Sequence, residues 1–371
     1  MTLPIALPIK PMLAKLTTAI PTGEAPGDAG WIYEPKWDGF RCIVARDGDT
    51  LELISRQERP FTRYFPELLG PLLEALPPRA VIDGEIVIPR GDGHGLDFDA
   101  LLQRIHPAES RVRRLAAETP SVFVAFDLLA VGDEQWMGRP FGERRAALPG
   151  VVRTNPTVFI TPASTDPAVA REWFERFEGA GLDGIVAKPA GEPYQPDKRA
   201  LVKVKHQRTA ECVLAGFRVH KDRQGVGSLL LGLYDDSARL HHVGVAAGFS
   251  GKRRRELLAE LEPLTEGATE DHPWGEWASM QQPLVTALDA DAPPPQRMPG
   301  ATSRWNAGKD LSWVPVRAER VVEVTFGQLE NGRFRHGVSF VRWRPDRTPE
   351  SCGYEQLSVA DPVSFHDLVS S

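Results

Sequence analysis

Two rhythms of apolar and polar positions divide the chain. As far as Lys205, β-rich apolar runs alternate with stretches whose apolar residues recur at helical spacing. The runs Trp31–Tyr33, Cys42–Ala45, Leu51–Ile54, Ala80–Pro89 and Ser121–Ala130 predict strands. Helices are predicted over Phe65–Leu76, Asp99–Ile105, Arg144–Leu148 and Pro167–Gly179, the last with Asp166 placed to cap it ahead of Pro167. Asp47–Gly48 and Asp83–Gly84 read as tight turns.

Farther on the rhythm shortens. Cys212–Val219, Ser228–Tyr234, Leu240–Gly248, Val321–Phe326 and Val338–Trp343 read as short strands, with one helix, Gly251–Leu261, after the third. That order predicts a small barrel of the oligonucleotide-binding (OB) type. The expected plan is an α+β domain over residues 1–207 and a barrel domain over 208–371. Thr265–Lys309, rich in proline, tryptophan and acidic residues, reads as an inserted loop with no fold of its own.

A length of 371 residues agrees with two domains, and 42% hydrophobic with 25% charged residues is ordinary for a globular protein. The net charge of −6 does not decide whether nucleic acid binds, because a local basic surface is what counts. Basic residues gather at Lys198–Arg208, Lys252–Arg255 and Arg333–Arg347, and each cluster taken alone is more often a solvated face than a binding surface. Cys42, Cys212 and Cys352 form no CxxC pair, which excludes a zinc ribbon and a disulfide framework. There is no signal-like N-terminus and no run of about 18 apolar residues, so the expectation is a cytoplasmic protein without a membrane span.

The sharpest candidate chemistry is Lys36-Trp37-Asp38-Gly39-Phe40-Arg41, just after the first strand. A lysine attacks phosphorus only as the neutral amine. The free side chain holds its proton to about pH 10, so neighbouring cations or desolvation must favour the neutral form. A glycine beside it lets a phosphate approach, Asp38 can bind a divalent cation, and Arg41 can bond a ribose or phosphate. Ser55-Arg56 follows the next strand and puts a guanidinium within reach of a phosphate. Glu85, in Asp83-Gly84-Glu85, emerges from an apolar run and needs a partner such as a cation or a ribose hydroxyl. Phe126 closes another apolar strand, as a core ring or as a platform for a purine. Asp183-Gly184-Ile185-Val186-Ala187-Lys188 repeats the carboxylate, glycine, lysine pattern. Lys203 and Lys205 share one face of a strand, which favours an anion against them. Arg342-Trp343-Arg344-Pro345-Asp346-Arg347 ends the last barrel strand.

Taken in order, these segments resemble the nucleotidyltransferase motifs of the ATP-dependent DNA ligase superfamily. Lys36–Arg41 is similar to its KxDGxR motif, Asp83–Glu85 to DGE, Asp183–Lys188 to EGxxxK, Lys203–Lys205 to KxK and Arg344–Arg347 to RxDK. Pro11-Met12-Leu13-Ala14 resembles the lead-in of many cellular and bacterial ligases. The resemblance covers all but Thr265–Lys309. The short two-domain plan resembles the bacterial ligase C group, whose members work with primase-polymerases in repair. It leaves no room for the N-terminal DNA-binding domain of larger ligases or the zinc and helix-hairpin-helix modules of NAD-dependent ones.

The resemblance implies an ATP-grasp-like adenylation domain followed by the OB barrel, and sealing of nicked duplex DNA with ATP and magnesium or manganese. It implies that Lys36 carries AMP, that Glu34 bonds the adenine amino group, that Phe126 stacks on the ring, and that Trp37 is among the nucleotide-binding residues. Arg41 and Glu85 then hold the ribose, and Arg56 lies near the phosphate. Lys188, Lys203 and Lys205 clamp the phosphates. Asp38, Glu85 and Asp183 serve the metal. Arg344, Asp346 and Arg347 orient pyrophosphate. The implied setting is a monomer associated with the nucleoid, among repair proteins. Two positions depart from the pattern: Asp183 stands where most relatives carry Glu, and Leu201 where many carry Trp.

Two other readings compete. RNA ligases and mRNA capping guanylyltransferases share the lysine motif, while Glu34, the Phe126–Leu129 segment and the Pro11–Ala14 lead-in favour a DNA ligase. A non-catalytic binding protein could keep the scaffold, but it has no reason to keep every charged motif residue. A grip on DNA is expected from a loop such as Pro273–Pro299 or from a partner, with binding that weakens in salt.

Overall fold

The computed structural model describes residues 1–176, 182, 184–206, 208–275, 311–330, 332–335, 337–357 and 364–370. They belong to two compact units, Met1–His206 with Val359–Ser371, and Gln207–Ser358. Asp183 and residues 276–310, including most of the expected DNA-gripping loop, lie outside the described residues.

The first unit holds strands β1 (Ala14–Thr17), β2 (Trp31–Pro35), β3 (Phe40–Asp47), β4 (Thr50–Ser55) and β5 (Arg79–Val87). It continues with β6 (Val122–Val131), β7 (Glu134–Gln135), β8 (Val158–Ile160), β9 (Gly184–Pro189) and β10 (Leu201–Lys205). Helices α1 (Leu69–Ala75), α2 (Phe98–Gln103), α3 (Glu109–Glu118), α4 (Phe141–Val151) and α5 (Pro167–Arg176) lie between them. One sheet runs β1-β10-β9-β2, and the other runs β4-β3-β5-β6-β7 with β8 beside β6. Every β6 residue but Val131 is buried, so this strand is covered on both faces. Phe123, Ala125 and Leu128 pack with Cys42 and Ile82 against Leu72 of α1, Leu101 of α2 and Leu148 of α4. On the opposite face Val122 and Val124 meet Tyr33, Ile185 and Ala187 of the other sheet, with Trp37 from the loop after β2. Ile43, Ala45 and Leu129 likewise meet Met12, Tyr194 and Leu201. The functional crevice therefore lies between two sheets whose apolar faces fix their spacing.

Asp166 caps α5 as expected, its side chain accepting from the Ala168 N–H at 2.7 Å. Helix α3 escaped the periodicity because only Val112 and Leu115 are buried along it. Asp47–Gly48 does close a hairpin, with Gly48 at φ 63°. Asp83–Gly84 does not, and that expectation is corrected: both residues lie inside β5, paired to Ile43 and Cys42 of β3. Gly84 is there for close approach, since a Cβ would come within 2.3 Å of the Phe123 ring and 2.6 Å of the Val124 carbonyl oxygen.

The second unit contains β11 (Arg208–Val219), β12 (Val226–Tyr234), β13 (Leu240–Ala247), β14 (Val314–Phe326), the hairpin β15 (Gln328–Glu330) with β16 (Arg333–Arg335), and β17 (Ser339–Trp343). Its main sheet runs β13-β12-β11-β14-β17, and the Ala247 N–H donates to the Val338 carbonyl at 3.4 Å between its two ends. This is the curled five-stranded sheet of an OB barrel, with α6 (Gly251–Leu261) after the third strand. Ser250 caps α6, and Leu257 and Leu261 enter the core with Leu229, Val243 and Val322. Trp274 is fully buried there and donates its indole N–H to the Leu240 carbonyl at 2.8 Å. Thr265–Gly275 is thus tied into the barrel and is not part of a structureless loop.

The barrel domain was expected to run to residue 371, and its end is corrected too. Helix α7 (Phe365–Ser370) belongs to the first unit, where Phe365 packs on Trp37 and Phe159 with ring centroids 6.0 and 5.4 Å away. All three cysteines are buried and free.

Candidate active site

Lys36 follows β2 directly, and its backbone N–H donates to the Gly184 carbonyl of β9 at 2.9 Å. Gly39 lets the lysine loop lie on β5, because a Cβ would meet the Ile86 carbonyl oxygen at 2.3 Å. Trp37 turns into the core and donates its indole N–H to Thr161 Oγ1 at 2.9 Å. These anchors hold the loop on both sheets. Lys36 enters a cavity of about 290 Å³ that Glu34, Trp37, Arg41, Arg56, Glu85, Phe126, Lys188 and Lys203 also line. Arg199, Met12 and Leu201 complete much of the wall, with Leu201 where an aromatic ring was the family expectation.

Glu34 is buried, with Lys188 Nζ at 2.6 Å and Arg145 Nε at 3.2 Å from its carboxylate oxygens. An isolated buried charge costs several kcal/mol, and this pairing offsets that cost. Burial lowers the Lys188 pKa, while Glu34 and Asp127 pull it upward. Lys188 Nζ lies 4.4 Å from the Phe126 ring centroid, and the Arg41 guanidinium lies 4.2 Å from it. The ring expected under a purine therefore already carries two cations at its surface.

Arg41 makes a forked ion pair with buried Asp83, Nε and Nη2 each 2.6 Å from a carboxylate oxygen. The Tyr194 hydroxyl donates to the same carboxylate at 2.6 Å and accepts the Met12 N–H at 3.1 Å. Burial opposes the Arg41 charge, but Asp83 more than offsets it and raises the Arg41 pKa. Glu85, opposite Arg41 across β3 and β5, is pushed up to about 7 by burial, with Arg41 and Lys36 pulling down and Asp38 and Asp83 pushing up. Lys36, Asp38, Arg41, Asp83 and Glu85 are one electrostatic cluster.

Lys203 and Lys205 share a face of β10. Lys203 lines the cavity and Lys205 is not among its lining residues. In the barrel, Arg344 pairs with Glu211, with Glu323 at 3.5 Å and with Asp346 at 2.6 Å. Arg347 Nε lies 2.8 Å from Glu211, and Arg342 Nε lies 2.7 Å from Glu323. Hydrogen bonding from Arg344 holds the Asp346 carboxyl down at about 2.

Residues 11–205 match the family described as ATP dependent DNA ligase domain, and residues 222–347 match the ATP dependent DNA ligase C terminal region. The chain belongs to the ATP-dependent DNA ligases. It is 55% identical over 375 residues to DNA ligase C of Mycobacterium tuberculosis (strain ATCC 25618 / H37Rv), covering 100% of this chain and 99% of that protein. It is 54% identical to DNA ligase C2 of Mycolicibacterium smegmatis (strain ATCC 700084 / mc(2)155), covering 96% of each. It is a ligase of the bacterial C group. A solved structure titled Pmar-Lig_Pre shares the fold, with a TM-score of 0.52 at 14% identity, covering 90% of this chain and 68% of that one.

A divalent metal is part of the chemistry of ATP-dependent ligases. Among the described residues no group of three or more His, Cys, Asp or Glu side chains is assembled to hold an ion. Asp38 and Glu85 still fit one: magnesium and manganese take hard oxygens, often one or two carboxylates completed by phosphate and water. A carboxyl raised by burial and by a neighbouring carboxylate is one that a cation returns to its ionised form.

Several residues in this ligase went unread in the sequence. Arg145 braces Glu34 from 111 positions away, and Tyr194 reaches Asp83 across the same separation. Neither carried a local signal. Arg199 stood inside the basic cluster Lys198–Arg208 without a role. Glu211 and Glu323 sit in strands whose apolar pattern alone was legible.

Proposed function

We propose that this ligase carries AMP on Lys36 and passes it to the 5′-phosphate of a nick in duplex DNA. The observation that supports this best is that Lys36 enters one cavity together with Glu34, Arg41, Glu85, Phe126, Lys188 and Lys203. In this reading Glu34 accepts a hydrogen bond from the adenine amino group. As an ionised acceptor it disfavours guanine, whose carbonyl stands at that place. Phe126 supports the base, and Trp37 positions the nucleophile from within the core. Arg41, fixed by Asp83, and Glu85 hold the ribose. Arg56, Lys188, Lys203 and Lys205 meet the phosphates.

The neutral Lys36 amine forms an N–P bond to the α-phosphorus, and the P–O bond to pyrophosphate breaks, its electron pair leaving with pyrophosphate. The amine proton is lost to solvent. Arg344, Asp346 and Arg347 orient the leaving pyrophosphate. Asp38 and Glu85, with Asp183 proposed as a third ligand, would hold a divalent cation, which when bound would neutralise phosphate charge. The DNA 5′-phosphate then displaces lysine to give a 5′-adenylate, and the 3′-hydroxyl displaces AMP to close the strand. The setting we infer is a monomer in the cytoplasm, working in DNA repair beside a primase-polymerase, on the strength of the C-group likeness.

The test is sealing of a nicked duplex with ATP and magnesium or manganese, by wild type and by Lys36→Ala. Wild type seals and Lys36→Ala does not, and labelled GTP leaves no guanylate on the protein. Equal sealing by both, or a guanylate adduct without an adenylate, overturns the reading.

A further inference from the structure

We infer that Glu211 is a positioning residue that presents Arg347, braced by Arg344, to pyrophosphate in the first chemical step; this rests on the pyrophosphate role read above for the Arg344–Arg347 segment and narrows direct contact to Arg347.

Glu211 on β11 and Glu323 on β14 are register partners, so two like charges face each other across the strand pair. Such a pair is costly unless cations lie against it. Here the segment leaving β17 supplies them. One Glu211 oxygen takes Arg344 Nη1, and the other takes Arg347 Nε at 2.8 Å. Glu323 takes Arg342 Nε at 2.7 Å and reaches Arg344 at 3.5 Å. A single carboxylate thus bonds two arginines through separate oxygens, which fixes their separation. Glu211 is itself clamped: its N–H donates to Gln356 Oε1 at 2.7 Å, and its carbonyl accepts from Gln356 Nε2 at 3.0 Å. The side chain of Arg344 is only 16% exposed and is saturated by three carboxylates, whereas that of Arg347 is 41% exposed. Arg344 therefore serves as the brace, and Arg347 keeps surface for an anion. Orienting groups of this kind act through position, and a misplacement of about 1 Å can cost on the order of a hundredfold in rate.

The experiment compares wild type, Glu211→Gln, Glu211→Asp and Arg347→Ala, each as the full chain. Two rates are measured: adenylylation by saturating ATP without DNA, and sealing of a pre-adenylylated nick without ATP. Glu211→Gln and Arg347→Ala are expected to slow adenylylation by about tenfold or more while sealing of the pre-adenylylated nick stays within about twofold. Glu211→Asp, which keeps the charge but shortens the reach, falls between them and wild type. Equal loss in both rates for Glu211→Gln and Glu211→Asp overturns the inference, because a merely structural residue affects both. Unchanged or faster adenylylation in Glu211→Gln, with Arg347→Ala slow, overturns the Glu211 role alone. Unimpaired adenylylation in Arg347→Ala removes the pyrophosphate reading, and this inference with it.

Discussion

Lys188 Nζ lies 2.6 Å from Glu34 Oε2, both side chains buried, in the cavity that Lys36 enters. One residue is proposed for the adenine and the other for the phosphates, so without nucleotide each satisfies the other's charge. Losing one member of a buried pair strands its partner. Lys188→Met leaves Glu34 with Arg145 and is expected to lower stability by about 3 kcal/mol in urea unfolding. Combining it with Glu34→Gln recovers part of that loss. An unchanged midpoint for Lys188→Met contradicts the pairing.

Glu85 gives stability a pH dependence in the metal-free protein. Burial is the chief cause that pushes its carboxyl from the ordinary value of about 4.5 up to about 7. Between these values the folded chain holds a proton that the unfolded chain releases. The contribution is therefore complete below about pH 4.5 and lost as pH rises through about 7. Glu85→Gln, which cannot ionise, is expected to gain on wild type across that window, by up to about 3 kcal/mol. Parallel stability curves for the two proteins from pH 5 to 8 contradict the account.

Tyr194 steadies the carboxylate that holds Arg41. Tyr194→Phe deprives a buried acceptor of a hydrogen bond, which costs about 1–3 kcal/mol. The expected kinetic result is a higher ATP concentration for half-maximal adenylylation, with Lys36 still modified at saturation. An unchanged KM for ATP would mean that Arg41 does not need this support.

The motif segments were legible because each packs its chemistry into a few consecutive residues: Lys36 to Arg41, Asp183 to Lys188, Lys203 to Lys205. The barrel was legible through the short apolar runs of β11 to β14 and the helix after the third strand. What escaped was made by distant partners. Asp83–Gly84 has the composition of a turn, yet it lies mid-strand because Phe123 packs where a Cβ would stand. Arg145, Tyr194, Glu211 and Gln356 acquire their roles only when strands far apart in sequence come together. The return of Phe365 to the first unit rests on contacts with Trp37 and Phe159 that no periodicity in a six-residue helix announces.

Whether Lys36 carries AMP can be read from an intact mass of the protein. The protein is incubated with ATP and a divalent metal, without DNA, alongside Lys36→Ala. One added AMP is expected on wild type, none on Lys36→Ala, and pyrophosphate is expected to remove it. An adduct of the same mass on Lys36→Ala, or none on wild type purified free of AMP, contradicts the role of Lys36.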